Sequence, residues 1–154
     1  MRVTKYKTKL SSEGLAYLVK DNACNYQGDC KMNTPVSIVK MLNDVFDLCN
    51  ETEEYLYLLC FNSAYRLLGV FELSHGIVNA SMVSPREVFQ KALLCNASHI
   101  IIAHNHPSGS TEPSRSDREV FKVLRDAGTL MKVPLIDSII VGSNNDYYSF
   151  ESCI

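Results

Sequence analysis

Three features are missing from this 154-residue chain, and each absence removes a class of function. No apolar run approaches the 18 or so residues that cross a bilayer. No run of Lys or Arg exceeds one residue and the net charge is -2, so the chain shows no electrostatic footprint for nucleic acid or an anionic membrane. No two of the six cysteines are spaced C-x-x-C, which argues against a cysteine-ligated zinc site. The first seven residues alternate and lack the apolar core of a signal peptide. Reduced thiols in a cytoplasm are the expectation, with Cys60 and Cys95 in apolar contexts that suit small buried hydrophobes. Hydrophobic residues make up 46% and charged residues 21%, the range of an ordinary globular domain with a real core.

The order of patterns predicts an α/β domain with a mixed sheet flanked by helices. Residues 2–10 alternate as a half-buried or edge strand. Residues 11–33 read as irregular, with a short strand over 15–19. Thr34 followed by Pro35 is a helix start, and the apolar spacing from Val36 to Leu48 predicts a helix over 35–49. Residues 55–61 are apolar on both faces and read as a central strand. They form a hairpin with 65–73, and a further short strand is expected over 77–83. Ser84, Pro85 and Glu87 open a second helix. A buried strand covers 98–104, a helix runs from Ser114 to about Leu130 with Gly128 near its end, and strands follow at 134–141 and 147–150. The expected division is a strand and irregular lead-in over 1–34, then one metal-binding domain over 35–154.

The chemistry lies where the strand of Ile100, Ile101, Ile102 and Ala103 runs into His104 and His106. An i, i+2 spacing in a strand puts both imidazoles on one face. Pro107, Ser108 and Gly109 then turn the chain, and Ser114 starts a helix with Asp117 in its first turn. Two imidazoles and one carboxylate suit zinc and leave a fourth tetrahedral position for water. Two plainer readings stand beside this one. The histidines could simply mark a strand leaving the core, and Ser114-x-x-Asp117 is also close to a capping box.

His104-x-His106, then seven residues, then Ser114-x-x-Asp117 resembles the signature of the JAMM (JAB or MPN) metalloproteases. The string His104-Asn105-His106-Pro107-Ser108-Gly109, with Pro113, resembles the RadC-type bacterial branch. Pro85 to Phe89, Ala92, Leu93, Asn96, Ala97, and the tail from Asp137 through Gly142 to Tyr148, Ser149 and Phe150 carry the same likeness, over about residues 35–151. The resemblance implies a three-layer, cytidine-deaminase-like α-β-α fold and a zinc-dependent hydrolase of peptide or isopeptide bonds, with one zinc ion per chain. It implies His104, His106 and Asp117 as ligands and Glu54 as general base. An acid at the mouth of a buried strand also has a physical case for that work, although Glu51, Glu53 and Glu54 could equally form a solvated acidic turn. Ser114 resembles the family's oxyanion donor, a role that competes with a plain helix cap.

Ser108 and Gly109 fall in the loop where a substrate groove would run, and Gly109 is more simply a turn residue. His75 and His99 lie outside the motif. Ser138 stands where this branch usually has His after the tail Asp. Two alternatives accompany the hydrolase reading: a DNA-repair-associated role, which charge does not support, and a non-catalytic zinc domain. The expected partner is an unidentified peptide or protein substrate.

Overall fold

A computed structural model of the chain describes residues 1–28, 30–76 and 81–152. Its seven strands are β1 (Arg2–Leu10), β2 (Ala16–Asn25), β3 (Glu54–Phe61), β4 (Leu67–Gly76), β5 (His99–Asn105), β6 (Leu135–Val141) and β7 (Tyr147–Ser149). They form one sheet in the order β2-β1-β4-β3-β5-β6-β7. The β1–β4 and β5–β6 pairs are parallel and the others antiparallel, so the sheet is mixed.

Three helices, α1 (Pro35–Phe46), α2 (Pro85–Leu94) and α3 (Arg115–Met131), cover the sheet. On one face α1 packs Ile38, Val39, Met41 and Leu42 onto Tyr57, Leu59, Phe61, Ile101 and Ala103. On the other, Val88, Phe89 and Ala92 of α2 and Val120, Phe121 and Leu124 of α3 meet Leu56, Leu58, Ile100 and Ile102. Alternation along β3 and β5 therefore feeds two cores from the same strands, giving the expected α-β-α layering. No described helix is long and apolar enough to cross a membrane.

Several boundaries differ from expectation. The segment read as irregular with a strand at 15–19 holds the ten-residue β2, paired with β1 from Arg2↔Asn25 to Leu10↔Ala16. Its polar Lys20, Asp21 and Asn22 hide it, because an edge strand is held by its ladder and by ion pairs more than by burial. Asp21 meets Lys5 at 3.2 Å and Lys7 at 2.8 Å. Val3 is buried and Lys5 pairs with Val70 of β4, so this hairpin extends the same sheet. The first helix stops at Phe46, where Asp47 turns left-handed (φ 53°) and a 3-10 turn, Leu48–Asn50, follows.

β4 runs on to Gly76. Of the strand expected over 77–83, residues 77–80 lie outside the described residues, and Ser81 and Met82 form a turn. The helix expected to run to about Leu130 ends at Met131 and closes on left-handed Lys132 (φ 57°), not on Gly128. Gly128 serves packing instead: a Cβ there would lie 2.8 Å from the Val133 carbonyl oxygen.

Candidate metal centre

β5 is buried along its whole length. Ile100 and Ile102 point to the α2/α3 face, so His104 and, two residues on, His106 share that face. The chain then turns: the Gly109 N–H donates to the His106 carbonyl (2.9 Å), and the His106 N–H reaches Val141 of β6 (3.0 Å). Gly109 sits at φ +80°, and a Cβ there would lie 2.4 Å from Ser143 Oγ. The positive φ favours glycine, whereas the Ser143 hydroxyl could swing aside. Ser108 is exposed on this turn, with Oγ accepting from the Ser110 N–H at 3.4 Å. Neither residue joins the cluster that follows.

Ser114 caps α3. Its Oγ accepts from the Asp117 N–H (3.1 Å), and Asp117 Oδ2 accepts from the Ser114 N–H (2.7 Å), a complete capping box. Capping leaves the carboxylate with lone pairs to spare, so it does not preclude ligation. Asp117 Oδ1 lies 3.2 Å from His104 Nε2, and Oδ2 lies 3.5 Å from His106 Nε2. The two Nε2 atoms are 3.0 Å apart. His106 Nδ1 donates to the Ser110 carbonyl at 2.9 Å, which leaves the Nε2 lone pair of the neutral ring turned inward.

Glu54 completes the group. It is the first residue of β3, on the same face as Leu56, which pairs with His104. Its Oε1 stands 3.7 Å from His104 Nε2. Glu53, one residue earlier, is exposed and outside the cluster. One ligand atom from each of Glu54, His104, His106 and Asp117 falls within 4.8 Å of the rest. Ligands at about 2.0–2.1 Å in a tetrahedron stand about 3.3 Å from one another, and the separations of 3.0, 3.2 and 3.5 Å among His104, His106 and Asp117 bracket that value. The donor set and its spacing fit a divalent ion such as zinc.

Electrostatics point the same way. Burial by itself raises the Asp117 carboxyl. Hydrogen bonds from His104, His106 and Ser114 outweigh that and hold it well below the usual carboxylate range. The Asp117 carboxylate raises His106, against the opposing effect of burial. The pocket is built to attract positive charge.

His75 and His99 stand apart, as expected. His75 Nδ1 lies 2.9 Å from Glu72 Oε1, and His99 is buried against Phe61 and Tyr65. Ser138, in place of the expected tail histidine, lines a small cavity with Leu56, Ile102, His104, Asp117 and Val120. It borders the ligands without being one. Asn105 is a residue that sequence reasoning passed over. It turns its amide to the opposite face, onto the backbone of residues 51–55, and only the register at this strand end reveals it.

Comparison with known proteins agrees with this geometry. Residues 32–153 match the family model of the RadC-like JAB domain. A UPF0758 protein of Haemophilus influenzae (strain PittEE) is 39% identical over 123 residues, 80% of this chain and 55% of the relative. A UPF0758 protein of Chlorobaculum tepidum is 39% identical over 117 residues, 73% of this chain and 52% of the relative. The chain thus spans about half the length of these curated relatives. With its matched region running from before α1 to the end of the described residues, the chain belongs to the RadC-like JAB domain family.

Proposed function

We propose that this protein is a zinc-dependent hydrolase of the JAMM type that cleaves a peptide or isopeptide bond. The observation that carries the reading is the convergence of His104, His106 and Asp117 on one point, with Glu54 beside it. When bound, zinc supplies Lewis acidity, bringing the pKa of a water on it to about 7.

In this reading His104, His106 and Asp117 hold the ion. Glu54 is set slightly back from the ligands, where its carboxylate takes the water's proton and then delivers it to the leaving amine. The Ser114 hydroxyl accepts from the Asp117 N–H and keeps its own proton, which it donates to the carbonyl oxygen as charge develops there. Ser108 and Gly109, on the turn beside the ligands, line the substrate path. The substrate is a peptide or protein, and a net charge of -2 favours that over nucleic acid. A reducing, cytoplasmic setting belongs to the same proposal, supported by unpaired thiols at Cys24, Cys30, Cys49, Cys60 and Cys95.

The test is hydrolysis of a fluorogenic peptide and isopeptide panel by zinc-loaded protein. Glu54→Gln should keep zinc and lose about 10²- to 10⁴-fold in rate. Zinc binding with turnover equal in wild type and Glu54→Gln would remove the catalytic role and leave a metal-binding domain.

A further inference from the structure

We infer that Asn105, the residue between the two histidines, is the positioning residue for Glu54: its side-chain amide holds the backbone on both sides of that glutamate. The inference rests on the reading of Glu54 as the proton-transfer group.

The argument begins with a gap in the sheet. β3 and β5 pair from Phe61↔His99 to Leu56↔His104. There the ladder to β3 stops, while pairing with β6 runs on through Asn105↔Val141. β3 continues for two more residues, Tyr55 and Glu54, which pair with His75 and Gly76 of β4 on their other side. On the β5 side the Tyr55 N–H and the Glu53 carbonyl have no main-chain partner in the β3–β5 ladder.

Asn105 supplies both. Its Oδ1 accepts from the Tyr55 N–H at 2.7 Å, and its Nδ2 donates to the Glu53 carbonyl at 3.0 Å, with a longer contact to the Glu51 carbonyl at 3.5 Å. The amide thus stands in for one more peptide unit of β5 and continues the ladder past its end. The two groups it holds flank Glu54. With β4 on the other side, the backbone around residue 54 is held from both edges.

The chemistry of asparagine suits this task. The position needs one acceptor and one donor in a single plane, which an amide has and a carboxylate lacks. Asn105 is 1% exposed, so its amide is held inside the fold where it meets the two backbone groups. Strand alternation does the rest: the neighbours His104 and His106 face Asp117 and Glu54 while Asn105 faces the opposite side. One tripeptide therefore sets both the ligands and the distance from them to Glu54.

The test uses the full chain loaded with cobalt(II), whose visible absorption reports the groups around the ion. Wild type, Glu54→Gln, Asn105→Ala and the near-isosteric Asn105→Leu are compared. Asn105→Leu keeps the core volume, with neither donor nor acceptor, if the alanine variant fails to fold. Both Asn105 variants should bind one cobalt per chain. Their absorption bands should shift toward those of Glu54→Gln, and hydrogen exchange at the Tyr55 amide should quicken about tenfold or more.

Spectra that superimpose on wild type while Glu54→Gln differs would overturn the inference. So would loss of cobalt like that of a His106→Ala variant, because Asn105 would then be supporting the ligands. If Glu54→Gln matches wild type, the absorption does not report residue 54 and amide exchange decides: an unchanged rate at Tyr55 in the Asn105 variants overturns the inference. If wild type takes up no cobalt, the metal reading falls and this inference with it.

Discussion

His104 Nε2 and His106 Nε2 face each other across 3.0 Å, while the second ring nitrogen of His106 is already committed to the Ser110 carbonyl. Two imidazole nitrogens this close beside a buried carboxylate suit a positive centre, either a proton or a metal ion. The raised proton affinity of His106, caused first by its hydrogen bond to Asp117, is the metal-free form of that demand.

Metal uptake must therefore expel a proton. Because the pKa of His106 is raised above its ordinary 6.5, competition starts above pH 6.5 and strengthens as pH falls. Apparent zinc affinity should drop about tenfold per pH unit below that raised value for each proton displaced. Titration calorimetry in two buffers of different ionisation enthalpy reads the proton count directly. No proton release between pH 6 and 7 would contradict the assignment of His106 as a ligand.

Ser114→Ala separates the two roles of that hydroxyl. Loss of the cap to the Asp117 N–H should cost about 1 kcal/mol, or a fall of about 2–4 °C in Tm. Loss of an oxyanion donor should cost a further 10²–10³-fold or so in turnover with zinc retained. Thermal unfolding and kinetics on one preparation check both. A lower Tm with unchanged turnover would make Ser114 a cap alone.

Acid stability carries a signature of His99. Burial lowers its pKa, and its Nε2 has no hydrogen-bond partner among the described residues. The unfolded chain, with an ordinary pKa near 6.5, binds the proton more readily, so this contribution is complete above about pH 6.5 and is lost as pH falls through and below that value. His99→Phe, which keeps a ring against Phe61 and Tyr65, should flatten the stability profile between pH 7 and 5. Urea unfolding at those two pH values tests it, and parallel profiles would show that His99 is not a proton sink on unfolding.

Gly128→Ala sets two effects against each other. Alanine gains about 1 kcal/mol of helix propensity. Its Cβ would sit 2.8 Å from the Val133 carbonyl and 3.0 Å from the Leu135 backbone nitrogen, and backbone cannot swing aside. Overpacking of this kind costs about 1–3 kcal/mol, so a net loss of stability is expected in chemical denaturation. A more stable variant would show that β6 can shift to make room.

Gly128 also shows where the sequence was opaque. A glycine late in a helical pattern signals a C-cap on local grounds, and only the neighbouring strand shows that it clears space for a crossing backbone. β2 was half hidden for a related reason: Lys20, Asp21 and Asn22 sit on an edge where a ladder and ion pairs, not burial, hold the strand. Asp47 ends α1 by turning left-handed without Gly or Pro to announce it.

The candidate site was more legible because its chemistry dictates spacing. A strand puts i and i+2 on one face, and a helix start brings back a first-turn acid. The resemblance already favours Glu54, and the start of β3 turns its side chain into the cluster while Glu53 stays exposed. Asn105 could not be found without the register, because its partners are backbone atoms some 50 residues earlier.

The most direct test of the account is metal analysis of the purified chain after zinc loading and dialysis, beside His104→Ala and Asp117→Ala. The account predicts about one zinc per wild-type chain and loss of that ion in both variants. Wild-type protein without zinc, or equal zinc in all three, would contradict it.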